Sequence, residues 1–147
     1  MFLPKQLDNT YRGRKIALYF FFLITTVTIV RSIIHILAPD GGAQSIATIP
    51  LDTFTQNGSN TVIHIFSQWG LSQLLMGIMY LIVSIRYKSL VPLMYVFIFI
   101  EYTGRLGLGY LKPISTVEVA PGAIINYILI PFSVILFVLS MNRGTRK

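Results

Sequence analysis

Four long apolar segments follow one another along the chain, each interrupted by few or no charged side chains. They cover residues 16–38, 61–85, 90–111 and 122–141. A helix rises about 1.5 Å per residue, so each segment is long enough to cross the roughly 30 Å of hydrocarbon in a bilayer. The pattern therefore predicts an all-α fold, a four-helix bundle integral to a membrane, with short connections and one larger loop at about 39–60.

The composition supports a membrane location. Of the 147 residues, 54% are hydrophobic and 12% are charged, whereas a soluble domain carries about a quarter charged residues. Much of the surface must therefore face lipid, and contacts between helices hold such a chain together. No repeat, low-complexity tract or second domain is visible, so residues 1–147 are expected to form a single domain.

Basic side chains distinguish the two sides of the predicted bundle. With four spans, both termini lie on one side, which holds Lys5, Arg12, Arg14, Lys15, Arg86, Lys88, Arg143, Arg146 and Lys147. The opposite loops hold Lys112 alone. Because cytoplasmic segments carry an excess of Lys and Arg, we expect both termini to be cytoplasmic, in a plasma or inner membrane. A cleaved signal peptide is the alternative for the first segment, but no small-x-small cleavage site precedes the larger loop.

The larger loop contains two turn signals, "PDGG" at 39–42 and "NGSN" at 57–60. Between them, Ile46, Ile49 and Phe54 have a spacing that fits a short segment lying at the outer membrane interface.

Polar side chains inside the apolar segments form the clearest chemical signal. They are Arg31, His35, His64, Gln68, Glu101 and Arg105. From the helical rise, Arg31, Glu101 and Arg105 lie about 18–24 Å from the cytoplasmic ends of their segments, at similar depths in the outer half of the bilayer. Because charges inside a membrane are costly and point into the bundle or a wet cavity, we expect these six residues to form one buried site, open towards the outer leaflet.

The spacing of these residues supports a common site. The polar stripes are Thr25, Thr28, Ser32 and His35 beside Arg31 in the first segment, and His64, Gln68 and Ser72 in the second. In the third segment, Glu101 and Arg105 are four residues apart, so they share a helix face and can pair.

The predicted site carries an excess of one positive charge, because two arginines face one glutamate. A planar guanidinium suits phosphate and carboxylate groups, so an anionic lipid headgroup or a small anion is the expected ligand. In the alternative interpretation, the Glu101–Arg105 pair only joins helices, Arg31 extends outward to lipid headgroups, and the histidines are interface residues.

Small residues predict helix contacts. In the second segment, Gly70, Gln73, Gly77, Tyr80 and Ser84 repeat at helical spacing on the face nearly opposite Gln68. This stripe predicts either a central position for the second helix or a subunit interface. In the third segment, Gly104 and Gly107 predict close packing or a loosened helix end.

Three classes of function remain open. The short cytoplasmic segments and the lack of a catalytic signature favour a non-enzymatic accessory subunit or binding protein. The alternatives are a small oligomeric ion- or proton-coupled transporter or channel, and a membrane enzyme acting on a lipid phosphate. The chain has no cysteine, and its two histidines and Glu101 come from three different segments without metal-ligand spacing.

We therefore expect no cofactor and no metal. The expected partners are membrane lipid together with further copies of the chain or a larger membrane complex. Nucleic acid is not an expected partner, because basic residues in a membrane protein usually set topology.

Overall fold

The computed structural model describes residue 4 and residues 6–142, and over this part of the chain the fold is all-helical, as predicted. The long helices are α1 (Lys15–Leu37), α2 (Gln56–Arg86), α3 (Val91–Leu111) and α4 (Pro121–Met141). Short 3-10 turns at Leu51–Thr53 and Lys88–Leu90 precede α2 and α3. Each of the four long helices has the length and apolar composition needed to cross a bilayer, which is compatible with an integral membrane protein.

Helix α2 begins at Gln56, so the loop before it covers residues 38–55 and is shorter than predicted. The prediction of a turn at 57–60 is wrong, because these residues belong to the start of α2. The side chain of Thr55 caps the helix: its Oγ1 accepts a hydrogen bond from the N–H of Gly58 at 3.2 Å. Such a cap satisfies a backbone donor that has no partner within the helix, and this outweighs the turn preference of Asn and Gly.

The 38–55 loop packs onto the first turns of α2. A small apolar cluster holds it there, formed by Ala43, Ile49 and Leu51 of the loop with Ala47, Val62, Ile63 and Phe66 around them. The N–H of Val117 donates to the carbonyl oxygen of Thr48 at 2.9 Å, which joins the loop to the α3–α4 connection. We call this end of the bundle the loop end.

The opposite end, which we call the link end, holds the N-terminal segment, the α2–α3 link and the end of α4. Ser89 Oγ in the link donates to the carbonyl oxygen of Asp8 at 2.9 Å. The N–H of Arg14 donates to the carbonyl oxygen of Leu139 at 3.0 Å. These hydrogen bonds connect segments that are far apart in sequence, so they fix which connections are neighbours.

The helices pack mainly as two pairs, α1 with α2 and α3 with α4. Contacts between α1 and α4 are fewer, and those between α2 and α3 are fewer still, although a very short link joins α2 to α3. The bundle therefore has an open side between α2 and α3. We call it the α2–α3 seam and define its edges by Trp69 and Met76 on α2 and by Phe97, Glu101 and Gly104 on α3.

Two glycines allow α1 and α2 to approach closely. A methyl group at Gly70 would lie 2.7 Å from Cβ of His35, and one at Gly77 would lie 2.8 Å from Cγ1 of Ile29. Real side chains do not come this close, so only glycine fits at either position. The face of α2 that carries these glycines, together with Gln73, consequently points into the bundle.

Aromatic side chains fill the interior towards the link end. Phe21 of α1 meets Tyr80 of α2 and Tyr95 of α3 edge to face, with ring centroids 5.6 and 5.8 Å apart. The Tyr95 hydroxyl donates to the carbonyl oxygen of Ala17 at 2.6 Å. Helix α1 thus contacts the other three helices and is central, whereas the sequence favoured α2 for this position.

Candidate functional site: a polar layer across three helices

A hydrogen-bonded chain of side chains crosses from α1 to α3 through α2. Arg31 Nη2 donates to Gln73 Oε1 at 2.5 Å, and Gln73 Nε2 donates to Glu101 Oε1 at 2.7 Å. Arg105 Nη1 donates to the same carboxylate oxygen at 3.4 Å. We call Arg31, Gln73, Glu101 and Arg105 the polar layer. The structure therefore brings together three of the six predicted site residues, and Gln73 joins them.

The indole ring of Trp69 forms one wall of the polar layer. The guanidinium carbons of Arg31 and Arg105 lie 5.6 and 5.0 Å from the Trp69 ring centroid. Arg105 also lies 5.1 Å from the ring centroid of Tyr102. Such cation–π contacts contribute about 0.5–2 kcal/mol each, and more as the cation loses water. Trp69 and Gln73 are one helical turn apart on α2, so a single face of that helix holds both arginines.

The polar layer has more positive than negative charge. Two guanidinium groups face one carboxylate, and the Glu101 oxygen that pairs with Arg105 also accepts from Gln73. Among the described residues, no carboxylate forms an ion pair with Arg31, whose hydrogen bond goes to the neutral amide of Gln73. The predicted excess of one positive charge is therefore present in the layer, and it belongs to Arg31.

Three buried polar side-chain atoms have no hydrogen-bond partner among the described residues, namely Arg31 Nε, Tyr80 Oη and Asn126 Oδ1. An unpaired buried polar group costs about 1–3 kcal/mol, and more when the group is charged. Arg31 Nε is the atom of the three that belongs to a charged group. A hydrogen-bond acceptor placed beside Arg31 Nε would therefore be stabilised more than one placed beside either of the other two atoms.

His35 lies next to the layer but is engaged in holding the 38–55 loop. Its ring is buried, and Nδ1 is 2.7 Å from the carbonyl oxygen of Gly41. Gly41 and Gly42 follow with positive φ angles of 61° and 74°, which favour glycine. The His35 ring also stacks at 4.8 Å from Trp69. His35 thus positions both the loop and the indole wall, which is a different role from the ligand contact that we predicted.

His64 and Gln68 lie outside the polar layer, contrary to the prediction that they help to form the site. Both have exposed side chains on α2. The reason is the orientation of α2: Gly70 and Gly77 let α1 pack against their own face, and His64 and Gln68 are on another. Their expected role in ligand binding therefore has no support from their positions.

Gln73 is the residue of the layer that the sequence analysis missed as a site residue. The sequence places Gln73 in the small-residue stripe of α2, which predicts helix packing. The signal that could have found it is its place between Gly70 and Gly77, since a stripe that packs closely against another helix also carries its polar members inward.

Gly104 and Gly107 do not pack against any helix in the described part of the chain. A methyl group at either position would meet no atom within 4 Å, because both lie on sides of α3 that no other helix covers. The expected packing role is not seen here. What the structure shows instead is open space beside Glu101, which is three residues before Gly104.

An acidic side chain organises the 38–55 loop. Asp40 accepts hydrogen bonds from the N–H groups of Gly42, Gln44 and Ser45 at 2.9, 3.1 and 2.7 Å. Partial burial alone would raise the pKa of Asp40. The hydrogen bonds from Ser45, Gly42 and Gln44 stabilise the carboxylate more strongly and hold the pKa below its ordinary value. The loop therefore contains a firmly ionised carboxylate.

The groups of the layer are ones that suit a negatively charged partner. The layer offers guanidinium donors, an aromatic wall and one unbalanced positive charge. Within residues 4 and 6–142, no three His, Asp or Glu side chains come together as metal ligands do. The arrangement can bind and orient a negatively charged group.

Comparison of the chain with models of known protein families, with curated proteins and with solved structures finds no match. The function must therefore be argued from the fold and from the polar layer.

Proposed function

We propose that this chain is an integral membrane protein without enzymatic activity, an accessory subunit or binding protein, whose polar layer binds an anionic group such as a phosphate or a carboxylate. The observation that carries the proposal is the surroundings of Arg31. Its guanidinium is held by a neutral amide and an indole face, and its Nε is buried without a partner. A bound anion supplies the missing acceptor and balances the excess charge.

The distribution of charge supports an orientation with the link end in the cytoplasm. Among the described residues, the link end holds Arg12, Arg14, Lys15, Arg86 and Lys88, and the loop end holds Lys112. An excess of basic residues is characteristic of the cytoplasmic side. In this orientation Gln73 lies about 20 Å from the cytoplasmic end of α2, so the polar layer faces the outer leaflet.

The interior on the link-end side of the layer supports binding rather than conduction through a single copy. Phe21, Tyr80, Tyr95 and Ile98 are each at most 1% exposed and pack into one cluster. A path for ions or protons needs polar groups or water across the full thickness of the membrane. The polar groups of the layer end at this apolar cluster instead.

The surface of α4 supports the membrane location and leaves room for further partners. Only 11% of the most apolar stretch of α4 is buried. The exposed side chains of this helix include Ile124, Ile128 and Ile135. Apolar surface of this extent needs lipid or another protein to cover it. Lipid, further copies of the chain or subunits of a larger membrane complex are therefore the partners that we include in the proposal.

Fluorescence of Trp69 tests anion binding directly, because it is the one tryptophan in the chain and contacts both arginines. The purified protein in a neutral, mild detergent is titrated with sodium phosphate and, for comparison, with sodium chloride at equal ionic strength. A second titration compares micelles that contain an anionic phospholipid with micelles that contain a zwitterionic one. Recovery of the lipid unchanged separates binding from the lipid-phosphate enzyme alternative.

We expect a saturable fluorescence change with at least one of the two anionic probes. The change is lost in Arg31→Gln and retained in Arg86→Gln, which removes the same charge from the exposed link end of α2. If neither anionic probe gives a response that depends on Arg31, the proposed function is wrong.

A further inference from the structure

We infer that the anion is the phosphate headgroup of a membrane phospholipid, which reaches the polar layer sideways through the α2–α3 seam and leaves its acyl chains on the outside of that seam. This inference rests on the proposed function and names the ligand class and its route.

The seam is the side on which the polar layer is open. Helices α2 and α3 contact each other least of the neighbouring helices in the bundle. At the layer itself they are joined by side chains, through the hydrogen bond between Gln73 and Glu101 and the contact of Arg105 with Trp69. The side chains of Arg105 and Glu101 are 21% and 22% exposed. Both charged side chains of α3 at this gap are therefore partly accessible.

Three approaches to the layer other than the seam are closed by packing. On the loop-end side, the rings of His35 and Phe66 lie 4.8 and 5.8 Å from the Trp69 ring. On the link-end side, the buried Tyr80 ring follows two turns after Gln73 on α2. Between α1 and α2, Gly70 brings the helices into direct contact. The seam is not among these closed approaches, and the charged side chains of Glu101 and Arg105 beside it are partly exposed.

Open space and an apolar rim flank the seam beside the layer. Apart from the neighbouring backbone of α3, no atom of the described residues lies within 4 Å of the position that a Cβ of Gly104 would take, one turn after Glu101. Phe97, one turn before Glu101, is 42% exposed. A headgroup therefore fits beside Gly104, and an acyl chain can then lie against Phe97, towards the membrane centre. This is the order in which a phospholipid presents its phosphate and its chains to a protein that spans the bilayer.

The charge of the layer matches a phosphodiester. A phospholipid diester carries one negative charge, which equals the excess positive charge on Arg31. A small soluble anion would have to leave water to reach the same depth, and the desolvation of a free ion in an apolar medium is expensive. A lipid phosphate is already anchored in the membrane by its chains. A free phosphate ion and a phospholipid headgroup offer the same phosphate oxygens to the layer. The geometry of the seam favours the phospholipid.

Lipids that carry bromine atoms on their acyl chains test the inference, because bromine quenches a tryptophan that it touches. The full chain is reconstituted into vesicles of unlabelled phosphatidylcholine with increasing fractions of brominated phosphatidylglycerol or, separately, brominated phosphatidylcholine. Trp69 fluorescence reports which lipid occupies the seam. We expect the anionic brominated lipid to quench at much lower fractions than the zwitterionic one. Loss of one hydrogen-bonded charge typically weakens binding about tenfold or more, so Arg31→Gln should remove this preference while Arg86→Gln keeps it.

A second pair of variants tests the route without changing any charge. Gly104→Leu fills the open space beside the layer, whereas Gly109→Leu adds the same side chain to α3 at another position that also meets no atom within 4 Å. We expect Gly104→Leu to abolish the preference for the anionic lipid and Gly109→Leu to preserve it. Because a Cβ at either position meets no described atom within 4 Å, both variants should fold, which circular dichroism and thermal unfolding verify.

Two outcomes overturn the inference and leave the proposed function standing. In the first, phosphate in detergent changes Trp69 fluorescence in an Arg31-dependent way, but the two brominated lipids quench equally. In the second, the anionic lipid quenches selectively and depends on Arg31, but Gly104→Leu has no effect, so the lipid does not arrive through the seam. Selective quenching that survives Arg31→Gln, with no Arg31-dependent response to phosphate, overturns both proposals.

Discussion

Arg31 gives its hydrogen bond to the neutral amide of Gln73, at 2.5 Å, and not to a carboxylate. Gln73 in turn donates to Glu101, whose carboxylate also pairs with Arg105. The amide thus connects two arginines to one glutamate across three helices, and the surplus charge remains at Arg31. This relationship determines both the stability of the layer and what it can bind.

Replacement of Gln73 should destabilise the bundle. Gln73→Leu removes an acceptor from Arg31 and a donor from Glu101 in a partly buried site, where each loss typically costs about 1–3 kcal/mol. Thermal unfolding in detergent measures the effect. Gln68→Leu is the matched control, because Gln68 is exposed on another face of α2 and should change the midpoint little. Equal midpoints for the two variants would contradict the bridging role of Gln73.

The contact between α1 and α2 should be sensitive to a single methyl group. Gly70→Ala places Cβ within 2.7 Å of His35 Cβ, and overpacking of this kind costs about 1–3 kcal/mol. Gly109→Ala adds the same atom where nothing is within 4 Å, so it should be neutral or slightly stabilising, since alanine favours helix over glycine. Unfolding midpoints that fall in the opposite order would show that α1 does not pack on this face.

His35 and His64 should differ sharply in importance although both are histidines near the loop end. His35→Leu leaves the Gly41 carbonyl oxygen without its partner and removes the ring that stacks on Trp69. We expect a loss of about 1–3 kcal/mol and faster proteolysis within the 38–55 loop. His64→Leu changes an exposed side chain and should leave the cleavage rate near that of the wild type. Similar rates for the two variants would argue against the anchoring role.

The 38–55 loop should respond to acid through Asp40. The pKa of Asp40 is lowered in the folded protein. Its carboxylate therefore stabilises the loop fully at pH values above the ordinary carboxyl pKa of about 3.9. This stabilisation is lost as the pH falls through the lower pKa of the folded state. The amide resonances of Gly42 and Ser45 in a pH titration by NMR should therefore move with a midpoint below about 3.9. They should show no such transition in Asp40→Asn. A wild-type midpoint at or above the ordinary value would contradict the hydrogen-bonded carboxylate.

Much of the fold could be predicted from the sequence because length and apolar character alone define the helices. The polar stripe of α1 could also be predicted, since Thr25, Thr28, Ser32 and His35 are all buried. The orientation of α2 could not, because that helix carries polar residues on two faces. The choice between Gln68 and Gln73 depends on how closely Gly70 and Gly77 let α1 approach. The distance between α1 and α2 depends on how the two helices pack, so it cannot be predicted from the pattern of residues in α2 alone.

The open side of the bundle was likewise not predictable. A short link joins α2 to α3, yet the main contacts are those of α1 with α2 and of α3 with α4. Aromatic side chains of α2 and α3 pack onto Phe21 of α1. The two helices therefore share a core without covering the seam between them.

The affinity of wild type, Arg31→Gln and Glu101→Gln for an anionic phospholipid, followed by Trp69 fluorescence, tests the central claim most directly. Arg31→Gln removes the surplus positive charge and should weaken binding about tenfold or more. Glu101→Gln keeps an acceptor for Gln73 but raises the surplus to two charges, so it should tighten binding. Opposite shifts in the two variants are the predicted result. Equal affinities in all three proteins, or a shift in the same direction for both variants, would contradict the claim that the surplus positive charge of the layer binds the phospholipid.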